Sequence, residues 1–237
     1  MPIAYCGIPA IPADVWMRWN FDPAVLLALG LLGLAAHRAG AARAGWGAVA
    51  VGFVIFISPL CALSAALFSA RVAHHALLVA VMAPLLALAF PKGGMGRRAL
   101  PLAPLFAVHM LILWAWHVPA FYAWALETVA GYWFMQATLL ASAMLLWRAA
   151  LRPGAEAHGI AALIGTVGQM GMLGAIITFA PRPLYFAHWL TTESWGLSAL
   201  EDQQLAGLIM WVPAVLPYLA VAAWLGLRLL ATPRPAR

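Results

Sequence analysis

The stretch FSARVAHHALLVAVMAPLL, Phe68 to Leu86, decides the fold. From Val72 onward it is an oily run long enough to enter a bilayer, yet it opens on Arg71 and two adjacent histidines, His74 and His75. A soluble protein of ordinary composition carries about 25% charged residues. This chain of 237 residues is 65% hydrophobic and 8% charged, more apolar surface than one soluble core can hide. Its solvent is therefore lipid, and the histidines sit at or below a membrane surface, where ionisable groups are costly and default to functional hypotheses.

Working outward, a crossing needs roughly 20 mostly apolar residues. The chain reads as seven such segments: Pro23–Ala36, Gly45–Leu63, Val72–Phe90, Leu100–Val118, Tyr132–Ala150, Ile160–Ala180 and Gln203–Leu230. The first is the shortest. No internal repeat and no long linker interrupts them, so residues 1–237 read as one membrane domain. The expected fold is an all-α integral membrane protein, a seven-transmembrane helix bundle.

Charge sets the orientation. Arg38, Arg43, Lys92, Arg97, Arg98, Arg148, Arg152, Arg228, Arg234 and Arg237 fall in one alternate set of connecting segments; Arg18, Arg71 and Arg182 fall in the other. The basic-rich set belongs in the cytoplasm. Asp14, Asp22, Glu127, Glu193, Glu201 and Asp202 lie on the opposite side, and Glu156 alone joins the basic set. The N-terminus is thus expected outside and the C-terminus inside, in a bacterial plasma (inner) membrane. The formal charge of +6 follows this topology pattern and does not indicate nucleic acid. No basic region followed by an apolar core opens the chain, so no cleavable signal peptide is expected. Cys6 and Cys61 form no C-x-x-C, which excludes a zinc ribbon or thioredoxin-like motif. An outer location permits a disulfide between them, and Cys6 is equally a candidate free metal ligand.

Within this frame His74 and His75 lie about one turn below the outer end of the third span. His117 marks the outer end of the fourth, just before Pro119, and His109 lies roughly 12 Å deeper. His188 belongs to the last outer loop. Met82 follows His75 by seven residues on one helical stripe, and Met110 precedes His117 by the same interval. Gln203 and Met210 repeat the spacing, and Met172 lies at a similar depth. Imidazole above thioether suits soft Cu(I), whereas magnesium and calcium require oxygen. Against this, Met is an ordinary filler of apolar helices, and a membrane histidine also serves as a plain interhelical hydrogen-bond partner. Ser198 and Glu201 read as a capping box that opens the last helix. Asp202 complements that helix's dipole, neutralises a bound copper ion, or pairs with Arg71 across the outer opening.

The segments LGAIITFAPRPLYFAHW (Leu173–Trp189) and LSALEDQQLAGLIMWVPA (Leu197–Ala214), supported by Leu67–Pro91 and Leu111–Glu127, resemble the polytopic CtaG family of cytochrome c oxidase assembly proteins. The resemblance implies a seven-span, non-enzymatic factor that helps mature haem–copper oxidases by handling copper. It implies oxidase subunits, the lipid bilayer and a periplasmic copper donor as partners. Two departures stand out. Many members carry an H-M-x-x-H pattern at the third span; its second His falls on His75, but its first His and Met fall on Arg71 and Val72. Many also have a His early in the fifth span, where this chain reads GYWFMQATLL (Gly131–Leu140). The expected site is His75 and His117, then His74 and His109, with His188, Met82, Met110 and Asp202 around them. The rivals are a bis-His haem cytochrome, a transporter using His and Asp202 as a relay, and a metal-free structural chaperone for oxidase helices.

Overall fold

The computed structural model describes residues 5–90 and 101–231. Among them the regular structure is entirely helical. In chain order the α-helices are α1 (Pro23–Arg38), α2 (Ala42–Phe56), α3 (Leu60–Ala66), α4 (Phe68–Ala76), α5 (Ala83–Ala89), α6 (Leu102–Trp116), α7 (Pro119–Glu127), α8 (Val129–Ala150), α9 (Glu156–Phe179), α10 (Ala199–Trp211) and α11 (Leu216–Ala231). Four continuous helical stretches are long and apolar enough to cross a membrane: Phe68–Ala89, Val129–Ala150, Glu156–Phe179 and Ala199–Ala231. Two bent pairs, α2 with α3 (44°) and α6 with α7 (75°), bring the number to six if each is one span. Helix α1, with 16 residues, is shorter. All seven apolar segments expected from sequence are thus helical, while crossing itself is supported for four to six. Lys92, Arg97, Arg98, Leu100, Arg234 and Arg237 lie outside the described residues.

Local chemistry explains the element ends. The Asp22 carboxylate accepts the Ala24 N–H at 2.8 Å and Pro23 fills the first turn, so α1 starts there. The bend between α2 and α3 frees backbone groups at its corner. Asn20 meets them, donating its side-chain amide to Phe56 O (3.1 Å) and its backbone N–H to Ile57 O (2.8 Å). Pro119 ends the α6 segment as expected, and His117 becomes its C-cap residue.

The stretch Phe68–Ala89 is the most enclosed of the long helices, with 56% of its apolar window buried against 33–44% for the others. Its middle, Leu77–Met82, is a π-helix. In that register the Val79 carbonyl looks five residues on, to Pro84, which has no N–H to give. The Trp147 indole (2.9 Å) and the Tyr218 hydroxyl (3.4 Å) donate to it instead. A carbonyl freed inside lipid must be met by neighbouring helices, and these two contacts tie α8 and α11 to the central helix.

Helix α10 packs against both α9 and α4, α8 against α5 and α6, α11 against α9, and α1 against α2. Small residues set the closest approach. A Cβ at Gly174 would lie 2.9 Å from Gly207 O, and one at Gly207 would lie 2.6 Å from Gly174 O, so α9 and α10 touch backbone to backbone. Large apolar side chains such as Leu27, Leu111, Phe179 and Leu227 project outward, as a lipid solvent permits. At one end of the bundle, residues 5–22, the α3–α4 corner, α7 and the segment 180–198 meet. There Cys6 and Cys61 form a disulfide, which pins the N-terminal segment onto α3, and the Trp195 indole donates to Ala10 O at 3.0 Å. We call this the loop-rich end.

Candidate functional site

Beneath the loop-rich end lies a buried polar cluster built around the first turns of α4. Arg71, His74 and His75 fall on successive positions of one helix, three and four residues apart, so their side chains are neighbours. Arg71 is 1% exposed, His74 0% and His75 9%. The Arg71 Nε donates to Ser64 O at 3.1 Å, and its guanidinium carbon stands 5.4 Å from the Tyr132 ring centre. Neither terminal guanidinium nitrogen has a hydrogen-bond partner, and neither ring nitrogen of His74 has one. The His74 ring meets His75 and Phe56 edge-on, each at 5.5 Å between ring centres.

His75 faces α8. Its Nε2 is 3.3 Å from Gln136 Nε2, so the Gln136 amide donates to an unprotonated ring nitrogen. Gln136 lies in the region where the family resemblance expects a histidine, and Arg71 stands where it expects another. Both departures therefore fall in one cluster, on either side of His75. His117, at the end of α6, donates its Nδ1–H to Leu113 O at 2.7 Å, which leaves Nε2 with a lone pair. It lies within electrostatic reach of His75.

The remaining expected residues are committed elsewhere. His109 contacts Ser142 Oγ through Nδ1 at 2.9 Å, and the Ser142 hydroxyl donates to Leu139 O at 3.2 Å; this pair of bonds ties α6 to α8. His188 uses both nitrogens. Its Nδ1–H points at Ala66 O (3.3 Å), and its Nε2 accepts from the Tyr122 hydroxyl (2.7 Å). Burial, and secondarily the Arg71 charge, push its pKa down to about 3, so it is neutral at ordinary pH. Met110 is buried in α6. Met82 lines a lateral groove of about 340 Å³ together with Asp22, Leu29, Phe56 and Trp133. Met172 is 47% exposed on α9. Among the described residues no group of three or more His, Cys, Asp or Glu side chains is arranged to hold a metal ion.

Asp202 stands in the first turn of α10, where it complements that helix's dipole as expected, and it also takes a role that no expectation named. The capping box of α10 is present, made by Ser198 and Glu201. Asp202 reaches sideways and caps α4. Its carboxylate accepts the Phe68 N–H (2.6 Å), the Ser69 N–H (3.2 Å) and the Ser69 hydroxyl. Helix α4 has no capping side chain of its own, because Leu67 occupies that position, so its orphan N–H groups are met from another helix. The expected Asp202–Arg71 ion pair is not formed: among the described residues the one salt bridge joins Arg18 and Asp14. The neighbouring Gln203 clamps the end of α9. Its Oε1 accepts from Leu184 N (2.6 Å), and its Nε2 donates to Ile177 O (3.2 Å) and Arg182 O (3.4 Å).

Sequence reasoning did not single out Tyr122, Tyr132 and Ser69. Tyr122 and Tyr132 wall the guanidinium, and Tyr132 places its hydroxyl 3.7 Å from the Cys6 sulfur. Aromatic residues in apolar helices carry no signal that separates such a wall from ordinary packing.

Comparison with curated proteins and with solved structures finds no match. The family model described as cytochrome c oxidase caa3 assembly factor (Caa3_CtaG) matches residues 26–232. That span includes α2 to α11 and all of α1 but its first three residues, together with the buried Arg–His cluster, the Asp202 cap and the Gln203 clamp. The chain belongs to the caa3-type cytochrome c oxidase assembly factor family.

Proposed function

We propose that the protein assists oxidase maturation by passing Cu(I) through a shallow site at the loop-rich end, with His75 and His117 as ligands and His74 as an auxiliary. Copper here is cargo. The observation that carries the reading is the pair of unengaged donors in one buried cluster. His117 keeps its Nε2 lone pair, and His74 has no hydrogen-bond partner on either nitrogen. Neutral imidazole is a suitable Cu(I) donor. Gln136 is the group His75 would release to bind a metal, at the cost of one modest hydrogen bond.

In this reading the chain crosses the membrane seven times, with α1 and both bent pairs counted as spans. The loop-rich end faces outward. The placement of Lys and Arg supports this, and so does the Cys6–Cys61 disulfide, which belongs to an oxidising compartment. The site would then open toward a periplasmic copper donor and toward the outer domains of an oxidase subunit.

A second reading, a metal-free chaperone for oxidase helices, is favoured by one observation: Arg71 and Gln136 occupy the cluster where histidines would complete a ligand set. Complementation separates the two. In a strain lacking the chromosomal copy, His75→Ala with His117→Ala should leave the protein in the membrane while the oxidase matures without copper. Full oxidase activity and copper content in that strain would support the chaperone reading.

A further inference from the structure

We infer that Arg71 holds a small monovalent anion, of the carboxylate or halide class, inside the bundle. Arginine does not lose its proton in proteins, so this buried side chain, 1% exposed, is a cation. Leaving an ion buried without a partner costs several kcal/mol even after relaxation. All seven Asp and Glu residues of the chain lie within the described residues, and none of them forms an ion pair with Arg71. The nearest in role, Asp202, spends its carboxylate on Phe68 and Ser69. Among the described residues the chain therefore supplies no counter-charge of its own.

The geometry fixes how the anion is held. Nε is already committed to Ser64 O, so the side-on mode of binding is closed. Neither terminal nitrogen completes a well-formed hydrogen bond, the Tyr122 and Tyr132 hydroxyls making only loose contacts, and together the two nitrogens form the end-on fork that takes a carboxylate with two parallel bonds or a halide between them. Tyr132 presents its ring to the guanidinium, and the Tyr122 and Tyr132 hydroxyls stand beside it. Those hydroxyls set the size limit, and that of Tyr132 offers a further donor, since the Tyr122 O–H is spent on His188. Both His74 nitrogens are also buried and unpartnered, so the one ring N–H of the neutral imidazole is a further unspent donor in the neighbourhood. Deep enclosure restricts the ligand to a few atoms, such as formate or chloride. The site stands independently of copper: it needs only Arg71 and its walls.

The test uses the purified full chain in detergent, exchanged into a buffer free of halide and carboxylate. Equilibrium dialysis with labelled formate and, separately, labelled chloride measures the exchangeable anion. Ion chromatography of the same protein after denaturation measures any anion carried through purification. The two together should give one anion per chain, with formate and chloride competing for the same place. Arg71→Lys, which keeps the charge and loses the fork, should weaken binding by about tenfold or more, and Arg71→Met should abolish it. Tyr132→Phe, which leaves the charge in place, should shift the formate-to-chloride preference. If Arg71→Met does not fold, the wild-type stoichiometry and the Arg71→Lys comparison still decide. Less than about a fifth of an anion per chain in both measurements, or equal binding by wild type and Arg71→Lys, overturns the proposal.

Discussion

Asp202→Asn is the most informative single substitution, because the structure gives it a definite cost. In the native protein one carboxylate satisfies three donors at the start of α4, two of them backbone N–H groups that have no other partner. Asn keeps one acceptor oxygen. If that oxygen stays on the shortest backbone contact, Phe68 N–H at 2.6 Å, the new amide faces Ser69. The Ser69 hydroxyl turns and accepts from it, but the Ser69 N–H is left buried and unmet, at about 1–3 kcal/mol. Loss of the formal charge at the N-terminus of α4 removes roughly 0.3–2 kcal/mol more. The sum is about 1–5 kcal/mol, all of it on the contact between α10 and α4. The assay is unfolding of the purified protein in mixed micelles, followed by circular dichroism, for wild type, Asp202→Asn and Glu201→Gln. Glu201 sits on the exposed capping box of its own helix, so its change should be the milder. Asp202→Asn within about 0.5 kcal/mol of wild type, the range of an ordinary surface substitution, would refute the interhelical cap. In cells the same variant should lower oxidase maturation through a displaced α4 and not through lost metal ligation.

Three further outcomes are expected. His188 has its folded pKa pushed from 6.5 down to about 3, so its contribution is fully present above pH 6.5 and is lost as pH falls toward 3; between pH 6.5 and 5 this amounts to about 2 kcal/mol, and the stability of His188→Gln should fall less steeply over that interval. Reducing the Cys6–Cys61 bond, which closes a loop of 55 residues in sequence separation, or replacing both with Ser, should lower stability by about 2–4 kcal/mol, read as a lower unfolding midpoint with no change in helix content. Trp147→Phe keeps the stack on Tyr218 but removes the stronger donor to Val79 O; it should cost about 1–2 kcal/mol, and an unchanged midpoint would mean that Tyr218 alone satisfies the carbonyl.

The helices were legible because their signals are local. Lipid demands long apolar runs, Pro119 stops a helix wherever it stands, and Ser198 with Glu201 three residues later is a cap that needs no other part of the chain. The site was legible only in part. His74, His75 and His117 announced themselves as ionisable groups in apolar segments, and the structure places His117 within electrostatic reach of His75. His109 and His188 announced themselves equally, yet one ties α6 to α8 and the other bridges Tyr122 and Ala66; sequence does not distinguish a ligand from a strut. Asp202 was legible as a polar residue near a helix start, but its partners lie 133 and 134 residues away. The π-helical turn was hidden for a similar reason. Pro84 is visible, but the register shift depends on Trp147 and Tyr218, which come from other helices.

The account's central claim is that the buried cluster on α4 and α6 handles copper during oxidase assembly. The direct measurement is a Cu(I) titration of the purified protein under reducing conditions, in competition with a chromophoric Cu(I) chelator. The account predicts one Cu(I) per chain. Affinity should fall by about tenfold or more on His75→Ala or His117→Ala, since loss of one soft donor costs more than about 1.4 kcal/mol, and should be unchanged in His109→Ala and Met172→Leu. Failure of the wild-type protein to take up Cu(I), or equal affinity in wild type and the His75→Ala/His117→Ala double variant, would contradict it.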